Sequence, residues 1–343
     1  INQTITFPAI SNKVYGGASF GAGASVPSTA TITYALGGAT TNGACSVTTN
    51  GVISIAAVGH CEIVASAGGD SQYAPASNVA RGFEVVADRA SAPFITSVAG
   101  GNGSVTVAFT APSYTGGAPI TGYEINAYQN GILAATGSNC AANATRCTIT
   151  GLANGVTYTI KMDAINAAGS GLESAASANI VPYTNPGAVS ALAAVPGNNA
   201  LNISWQQPAS FGGGAFVSYQ VFVRTHGGTY SLTPTATITA AGTTSYSVAN
   251  LLNGQAYDIK VVVITTAAST QLVSNTTEIQ QTPMTVPDAP QQLTVLETTD
   301  GVIDVSWAAP NSDGGSPVTA YNVNLGGGHS CTVSGQSTNC TIG

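Results

Sequence analysis

Six cysteines are the residues whose spacing most directly suggests chemistry. None of them shows the C-x-x-C spacing that is typical of zinc-binding or redox sites. They form three local couples separated by 16, 7 and 9 residues. This clustering favours three disulfides over free buried thiols or metal ligation, and the pairs are Cys45–Cys61, Cys140–Cys147 and Cys331–Cys340. Disulfides predict an oxidising environment, and therefore an extracellular or cell-surface location.

The side chains that could catalyse a reaction are too scattered to suggest an active site. His60, His226 and His329 fall in three different predicted domains, so a catalytic triad would have to be assembled across domain junctions. Asp300 and Asp304 lie close together, but turn-forming and solvent-facing roles suit them better than the paired carboxylates of a glycosidase. We therefore predict no catalytic residue, no cofactor site and no metal site, and we do not expect an enzyme.

The small number of charges excludes several classes of partner. The 343 residues carry 7 Lys and Arg against 14 Asp and Glu, a formal net charge of −7. A nucleic-acid-binding protein needs clustered basic side chains, so we predict no nucleic-acid partner. The longest purely aliphatic run, residues 261–264, is far too short to span a bilayer. A hydrophobic fraction of 44% with little charge predicts folded domains rather than disorder.

One pattern occurs three times along the chain, at intervals of about 100 residues. An aromatic residue recurs with spacings of 96 and 102 residues, and a tyrosine follows each of the three at a constant distance, after a Gly-rich loop. In the first two copies a leucine then precedes a second tyrosine by six residues. The residues are Phe109, Trp205 and Trp307, then Tyr123, Tyr219 and Tyr321, and then the pairs Leu152 and Tyr158, and Leu251 and Tyr257.

The local hydrophobic pattern is that of β-strands. Residues 104–109 (SVTVAF), 202–205 (NISW) and 302–307 (VIDVSW) alternate polar and apolar side chains, which places one face of each strand in a core. The chain also contains 41 Gly and 16 Pro spread along its length, as expected for many turns between short strands. No convincing amphipathic helix appears, and the sequence therefore predicts an all-β protein.

These landmarks resemble the fibronectin type III family. Its β-sandwich carries a Trp on the second strand, a Tyr on the third, and later a Leu followed by the Tyr of the "tyrosine corner". Trp205 and Trp307 match the family's Trp, whereas Phe109 replaces it in the first copy. Tyr158 and Tyr257 match the corner Tyr. The resemblance implies sandwiches at 89–184, 185–284 and 285–343, with the repeated aromatic and leucine residues in their cores. The Gly-Gly-x-Pro motif of the Gly-rich loops is similar to that of bacterial members of the family.

The first 88 residues carry a different pattern. Residues 3–7 (QTITF), 13–16 (KVYG) and 59–66 (GHCEIVAS) resemble bacterial Ig-like surface repeats, which are commonly found on secreted and cell-surface proteins. The whole chain is therefore expected to form tandem Ig-like and fibronectin type III β-sandwiches in an extended array. The fibronectin type III motifs are specific for the fold and say almost nothing about a ligand.

The last predicted domain is incomplete at its C-terminus. The segment Cys340-Thr341-Ile342 corresponds to Cys147-Thr148-Ile149 of the first copy, so the strand with the corner Tyr and the final strand do not appear. We expect the natural chain to continue. The alternative is that a neighbouring subunit donates the missing strand.

The neutral surface and the short linkers suggest a mechanical role. Prolines bound the linkers 182–186 and 283–287, which stiffens them. The first hypothesis is a non-enzymatic bacterial extracellular structural protein that assembles with copies of itself into a filament, sheath, stalk or surface layer. One alternative is an adhesin or spacer array that presents a glycan- or protein-binding tip, through the Gly-rich loops and their aromatics Tyr114, Phe211 and Phe216. Another is the accessory region of a larger secreted hydrolase.

Overall fold

The computed structural model describes residues 1–298 and 301–343, so Asp300 lies outside the described residues. Within these ranges the chain forms β-strands and turns and contains no helix, which confirms the all-β prediction. No helix of the described residues is therefore long and apolar enough to cross a membrane. The chain divides into two compact units, Ile1–Pro182 and Tyr183–Gly343, and each unit contains two β-sandwiches.

The first sandwich is built from two sheets. One sheet has the order β1-β7-β6-β3 and the other β2-β5-β4. The Cys45–Cys61 disulfide joins β4 to β6 and therefore links the two sheets. Phe7, Tyr34 and Phe83 are buried between them. The strands are β1 Lys13–Val14, β2 Phe20–Gly21, β3 Ile32–Leu36, β4 Cys45–Val47, β5 Val52–Ile55, β6 Gly59–Ala67 and β7 Val79–Val86.

The second sandwich has three strands on one sheet and four on the other. Its sheets have the orders β12-β9-β8 and β11-β10-β13-β14, and all of their pairings are antiparallel. The apolar residues of the alternating strand β9 face the core, as the sequence pattern requires. The strands are β8 Phe94–Gly101, β9 Ser104–Thr110, β10 Gly122–Gln129, β11 Ile132–Ala141, β12 Arg146–Thr150, β13 Thr159–Asn166 and β14 Gly169–Ser170.

The third sandwich repeats this topology. Its sheets are β15-β16-β19 and β18-β17-β20-β21, and β22 also pairs with β20. The strands are β15 Ser190–Gly197, β16 Ala200–Gln206, β17 Ala215–Thr225, β18 Ala236–Ile238, β19 Ser245–Val248, β20 Tyr257–Ala267, β21 Thr270–Val273 and β22 Thr277–Gln281.

The fourth sandwich contains the first five strands of the same arrangement. One sheet has the order β23-β24-β27 and the other consists of β25 and β26. Its described residues contain no counterpart of β20 or β22. Leu293 and Val295 on β23 are therefore exposed rather than covered by a second sheet. The strands are β23 Gln291–Glu297, β24 Ile303–Ala308, β25 Ala320–Gly326, β26 His329–Ser334 and β27 Asn339–Ile342.

An aromatic pair links the two sheets in each of the three repeated domains. The ring of Trp205 on β16 packs against Tyr219 on β17 with a centroid separation of 5.4 Å and an interplanar angle of 66°. The corresponding pairs in the second and fourth domains have centroid separations of 4.6 and 5.1 Å. All six rings are buried, and they are Phe109, Tyr123, Trp205, Tyr219, Trp307 and Tyr321. Such tilted or edge-to-face pairs are favourable beyond the area that they bury.

The tyrosine corner is present in the second and third domains. The backbone N–H of Ala153 donates to the Tyr158 hydroxyl at 3.2 Å, and that of Leu252 donates to the Tyr257 hydroxyl at 3.0 Å. Both tyrosines are buried. Leu152 is buried as well, whereas Leu251 is only half-buried and packs at the margin of the third core, in contrast to the prediction that it lies within it.

Two further disulfides link the sheets of the second and fourth domains. Cys140 on β11 bonds to Cys147 on β12, and Cys331 on β26 bonds to Cys340 on β27. In the third domain, Tyr246 occupies the register position of Cys147. With the first pair, these disulfides account for all six cysteines.

Replacing Trp205 by Ala is expected to lower the free energy of unfolding of the third domain by about 3–5 kcal/mol, because it leaves a cavity in the core. Trp205→Phe should cost much less. Phe109 fills the same place in the second domain, and the substitution removes a buried indole N–H that has no hydrogen-bond partner among the described residues. Calorimetric unfolding of the three proteins measures both effects, and a loss below about 1 kcal/mol for Trp205→Ala would show that Trp205 is not a central core residue.

Labelling the unreduced, denatured protein with a thiol reagent should detect no free sulfhydryl, whereas prior reduction should expose the thiols of all three pairs. Closing loops of this length contributes about 2.5–3 kcal/mol per disulfide in the chain-entropy treatment. The reduced protein should therefore unfold at a lower temperature. Free thiols in the unreduced sample would contradict the three pairings.

Candidate functional site

The Gly-rich loops hold the linkers that enter the second, third and fourth domains. Gly116, Gly212 and Gly314 lie in these loops and have φ values of 71°, 71° and 74°, a region that favours glycine. An added Cβ would lie 1.9 Å from the carbonyl oxygen of Asp88, 2.2 Å from that of Thr184 and 2.2 Å from that of Thr285. Each loop therefore approaches its linker at a distance that only glycine allows.

The same three places are closed by backbone hydrogen bonds. The N–H of Asp88 donates to the carbonyl of Gly116 at 2.9 Å. In the unit Tyr183–Gly343, the N–H groups of Thr184 and Thr285 donate to the carbonyls of Gly212 and Gly314, each at 2.8 Å. The linker backbone is thus paired with the domain that follows it, much as a strand is paired in a sheet.

The domain that precedes a linker holds it in a similar way. The N–H of Gly155 donates to the carbonyl of Pro182 at 3.0 Å in the first unit, and that of Gly254 donates to Pro283 at 3.0 Å in the second. Pro283 and Thr285 are separated by one residue, so two bonds from two domains fix three consecutive linker residues. We call this arrangement, which comprises the linker Pro283-Met284-Thr285 with Gly254 and Gly314, the linker clamp.

Side chains reinforce the joint between the first and second domains. The rings of Tyr15 and Tyr114 are stacked with a centroid separation of 6.0 Å. The Tyr114 hydroxyl lies 3.1 Å from the Tyr15 carbonyl oxygen and 3.2 Å from Oδ2 of Asp88. Burial raises the pKa of the Tyr114 hydroxyl, and the Asp88 charge acts in the same direction, so the hydroxyl remains a donor. Asn166 also donates through Nδ2 to the carbonyl of Asp88 at 2.6 Å.

Backbone atoms approach closely at the joint between the third and fourth domains. Gly315 has a φ of 90°, and an added Cβ would lie 2.4 Å from the nitrogen of Gly254. The N–H of Asp288 donates to the carbonyl of Ser312 at 2.9 Å, which ties the end of the linker to the same loop.

The aromatics of the Gly-rich loops serve structural roles. Tyr114 belongs to the joint described above. Phe211 and Phe216 pack at the margin of the third core, where the Phe216 ring lies 4.8 Å from that of Tyr219. None of the three stands as an exposed aromatic platform, since all are at least half-buried.

The three histidines lie far apart in sequence and have separate partners. His60 Nδ1 lies 2.7 Å from Oε1 of Glu84, and His226 Nδ1 lies 2.7 Å from Oδ1 of Asp258. His329 Nδ1 lies 3.1 Å from the carbonyl oxygen of Gly343. Across residues 1–298 and 301–343, no group of three or more His, Cys, Asp or Glu side chains could hold a metal ion.

Sequence reasoning missed a charged cluster on the outer face of the third domain. Arg224 contacts Oδ2 of Asp258 and Oε1 of Glu278, each at 3.0 Å. The Tyr230 ring lies between two cations, 4.1 Å from Cζ of Arg224 and 4.2 Å from Nζ of Lys260. The hydrogen bond from His226, with those from Gly227 and Arg224, lowers the pKa of Asp258. Lys161 and Lys260 occupy the same position in the repeat, and this recurrence is the feature of the sequence that pointed to a charged group on this face.

Comparisons with known proteins agree with this fold. The family model for the Fibronectin type III domain matches residues 91–180 and 185–279. Usherin of Rattus norvegicus is 31% identical over 188 residues, which are 54% of this chain and 4% of usherin, so the chain spans a small part of that relative. The crystal structure of the chicken CNTN1 FN1–FN3 domains covers 74% of this chain and 87% of its own, with 17% identity and a TM-score of 0.36.

The matched residues include both complete copies of the repeated pattern. Tandem domains of this kind, with disulfides, are consistent with an extracellular structural or adhesion-type protein. The family match covers more than half of the chain and agrees with the sandwich topology, the aromatic pair and the tyrosine corner described above. The chain therefore belongs to the fibronectin type III family.

Proposed function

We propose that this chain is a non-enzymatic structural part of a bacterial extracellular protein, in which stiffly jointed β-sandwiches set a fixed spacing. The linker clamp is the observation that carries the proposal. A linker whose backbone is bonded to the domains on both sides, and which touches glycine loops at van der Waals distance, resists bending without any ligand. Loops that hold linkers in this way are occupied by structural contacts, which favours a spacing role over a binding role for them.

We further propose that copies of the chain assemble into a filament, sheath, stalk or surface layer. Charged residues make up only 6% of the sequence, and several of them are used within ion pairs such as Lys161–Glu173 and Arg224–Asp258. A surface with few charges is inexpensive to desolvate, and it lacks the repulsion that normally keeps copies of a protein apart.

The fourth domain offers one place for such an association. β25 pairs with β26 on one side, and the described residues place no strand on its other side, where β17 of the third domain pairs with β20. Trp307, Tyr321 and Leu293 line a groove of about 420 Å³ in this domain. An unpaired edge beside an apolar groove suits the addition of a β-strand.

The stiffness of the joint can be tested with Gly314→Ala. The new methyl group would collide with the Thr285 carbonyl and should break the hydrogen bond from the Thr285 N–H to residue 314. Hydrogen exchange at the Thr285 amide should therefore accelerate at least tenfold, as measured by NMR or by mass spectrometry of the linker peptide.

Gly326→Ala is the matched control for this substitution. Gly326 has a φ of 82°, but no heavy atom lies within 4 Å of an added Cβ. Both variants therefore place an alanine at a positive φ and should be destabilised to a similar extent by backbone strain, whereas only Gly314→Ala disturbs the linker. Equal exchange rates at Thr285 in the two variants would show that the linker clamp does not hold the joint.

Assembly can be tested on the purified full chain at high concentration. Electron microscopy should show ordered assemblies, and sedimentation should show species larger than 33.9 kDa. The association should change little between low and high salt, because uncharged surfaces make it. Dispersed monomers at all concentrations would contradict the assembly proposal while leaving the stiff-spacer proposal intact.

A further inference from the structure

The outer face of the second domain carries two buried polar residues, Asn126 and Asp163, beside the half-buried Glu124. Glu124 and Asn126 on β10 and Asp163 on β13 point away from the core, and Glu124 lies directly opposite Asp163 in the strand register. In the third domain, Phe222 and Val262 occupy the positions of Asn126 and Asp163. They are buried there under Tyr230 in a small apolar cluster.

The fold therefore buries these two positions in both domains, but only one domain fills them with apolar side chains. Asn126 is 7% exposed and Asp163 is 4% exposed. Burying amide and carboxylate groups is unfavourable unless their polar atoms find partners. The polar pair thus requires an explanation that the apolar pair does not.

Each of the two buried side chains has an oxygen atom without a partner. Oδ1 of Asn126 and Oδ2 of Asp163 accept no hydrogen bond from the described residues. The other end of the Asn126 amide donates through Nδ2 to Oε1 of Glu124 at 3.3 Å, so the amide lies beside that carboxylate. Asp163 also accepts a hydrogen bond from the Ser170 hydroxyl. What remains is an amide oxygen and a carboxylate oxygen, both buried and both without a donor among the described residues.

The charges around these oxygens are also unbalanced. Glu124 and Asp163 are like charges placed directly across two paired strands, an arrangement that destabilises a sheet. The nearest lysine does not neutralise them, because Nζ of Lys161 bonds to Oε2 of Glu173 at 3.0 Å and lies over the Tyr128 ring. Burial raises the pKa of Asp163, and the charges of Glu124 and Glu173 act in the same direction.

We propose that a calcium ion binds on this face, coordinated by the carboxylates of Asp163 and Glu124 and by the amide oxygen of Asn126. Ca²⁺ takes six to eight oxygen ligands in flexible geometry, whereas Mg²⁺ demands a near-ideal octahedron. The cation would neutralise the opposed carboxylates and satisfy both unpartnered oxygens. Because the described residues offer no third carboxylate, His or Cys within reach, the site depends on the amide and on water for its remaining ligands.

The expected affinity follows from this small ligand set. Calcium sites of extracellular modules with few charged ligands have dissociation constants of about 10⁻⁴–10⁻³ M. Isothermal titration of the full oxidised chain with calcium chloride should detect one site in this range. At 5 mM calcium, the melting temperature of the second domain should rise by about 5 °C relative to potassium chloride of equal ionic strength, with a smaller effect of magnesium.

Two substitutions test the assignment of the ligands. Asp163→Asn should abolish the calcium-dependent rise, and Asp163→Val, which copies Val262 of the third domain, should do the same while the domain stays folded. Asp258→Asn is the matched control, because it removes one carboxylate from β20, the strand that corresponds to β13. It should leave the calcium response unchanged. The wild-type titration tests the proposal even if a variant does not fold.

Three results would overturn the proposal. The first is the absence of a calcium response beyond that of matched potassium chloride. The second is an equal response in the wild type and in a folded Asp163→Asn variant. The third is a wild type that gains stability as the pH falls from 7 to 5 but does not respond to calcium at pH 7. Since a carboxyl group with a raised pKa stabilises the fold when it is protonated, that result would assign a proton to the site instead of a metal ion.

Discussion

An aromatic pair that packs across the two sheets is the contact on which each fibronectin type III domain of this chain depends. Trp205 and Tyr219 stand on consecutive strands that belong to different sheets, so their contact fixes the separation of the sheets and the path of the chain between them. That path is the Gly-rich loop with Gly212. The packing of these two buried rings therefore determines the position of the loop that contacts the linker, and with it the geometry of the joint.

The parts of the fold that could be predicted are those that buried side chains specify. Trp205 and Tyr219 were recognisable because period-two alternation and a constant spacing mark core positions. The joints could not be predicted, because they are made by backbone atoms and by the absence of side chains. Gly314 is visible in the sequence only as a turn residue, and nothing near it indicates that Thr285 lies at van der Waals distance. Leu251 shows the limit of repetition, since it keeps the spacing of Leu152 but not its burial.

The outer faces of the sheets were unpredictable for a different reason. A polar residue in an alternating strand is read as solvent-facing, and Asp163 fits that pattern. In both complete domains, however, this face is covered over part of its area. The buried positions on this face are occupied by Phe222 and Val262 in the third domain, and by Asn126 and Asp163 in the second. The same backbone thus supports two chemistries, and only comparison of the two copies at equal register reveals the difference.

The repeated domains combine disulfides and aromatic packing in different ways. The third domain has no disulfide; Trp205 lies in its core, and the partly buried Tyr246 stands at the register position of Cys147 and packs against that core. The second domain has Phe109 in place of Trp and carries the Cys140–Cys147 bond. The fourth has the smallest buried cluster and also carries a bond between its sheets. A covalent link lowers the entropy of the unfolded chain, and in the second and fourth domains it acts together with the buried aromatic pair rather than in place of it.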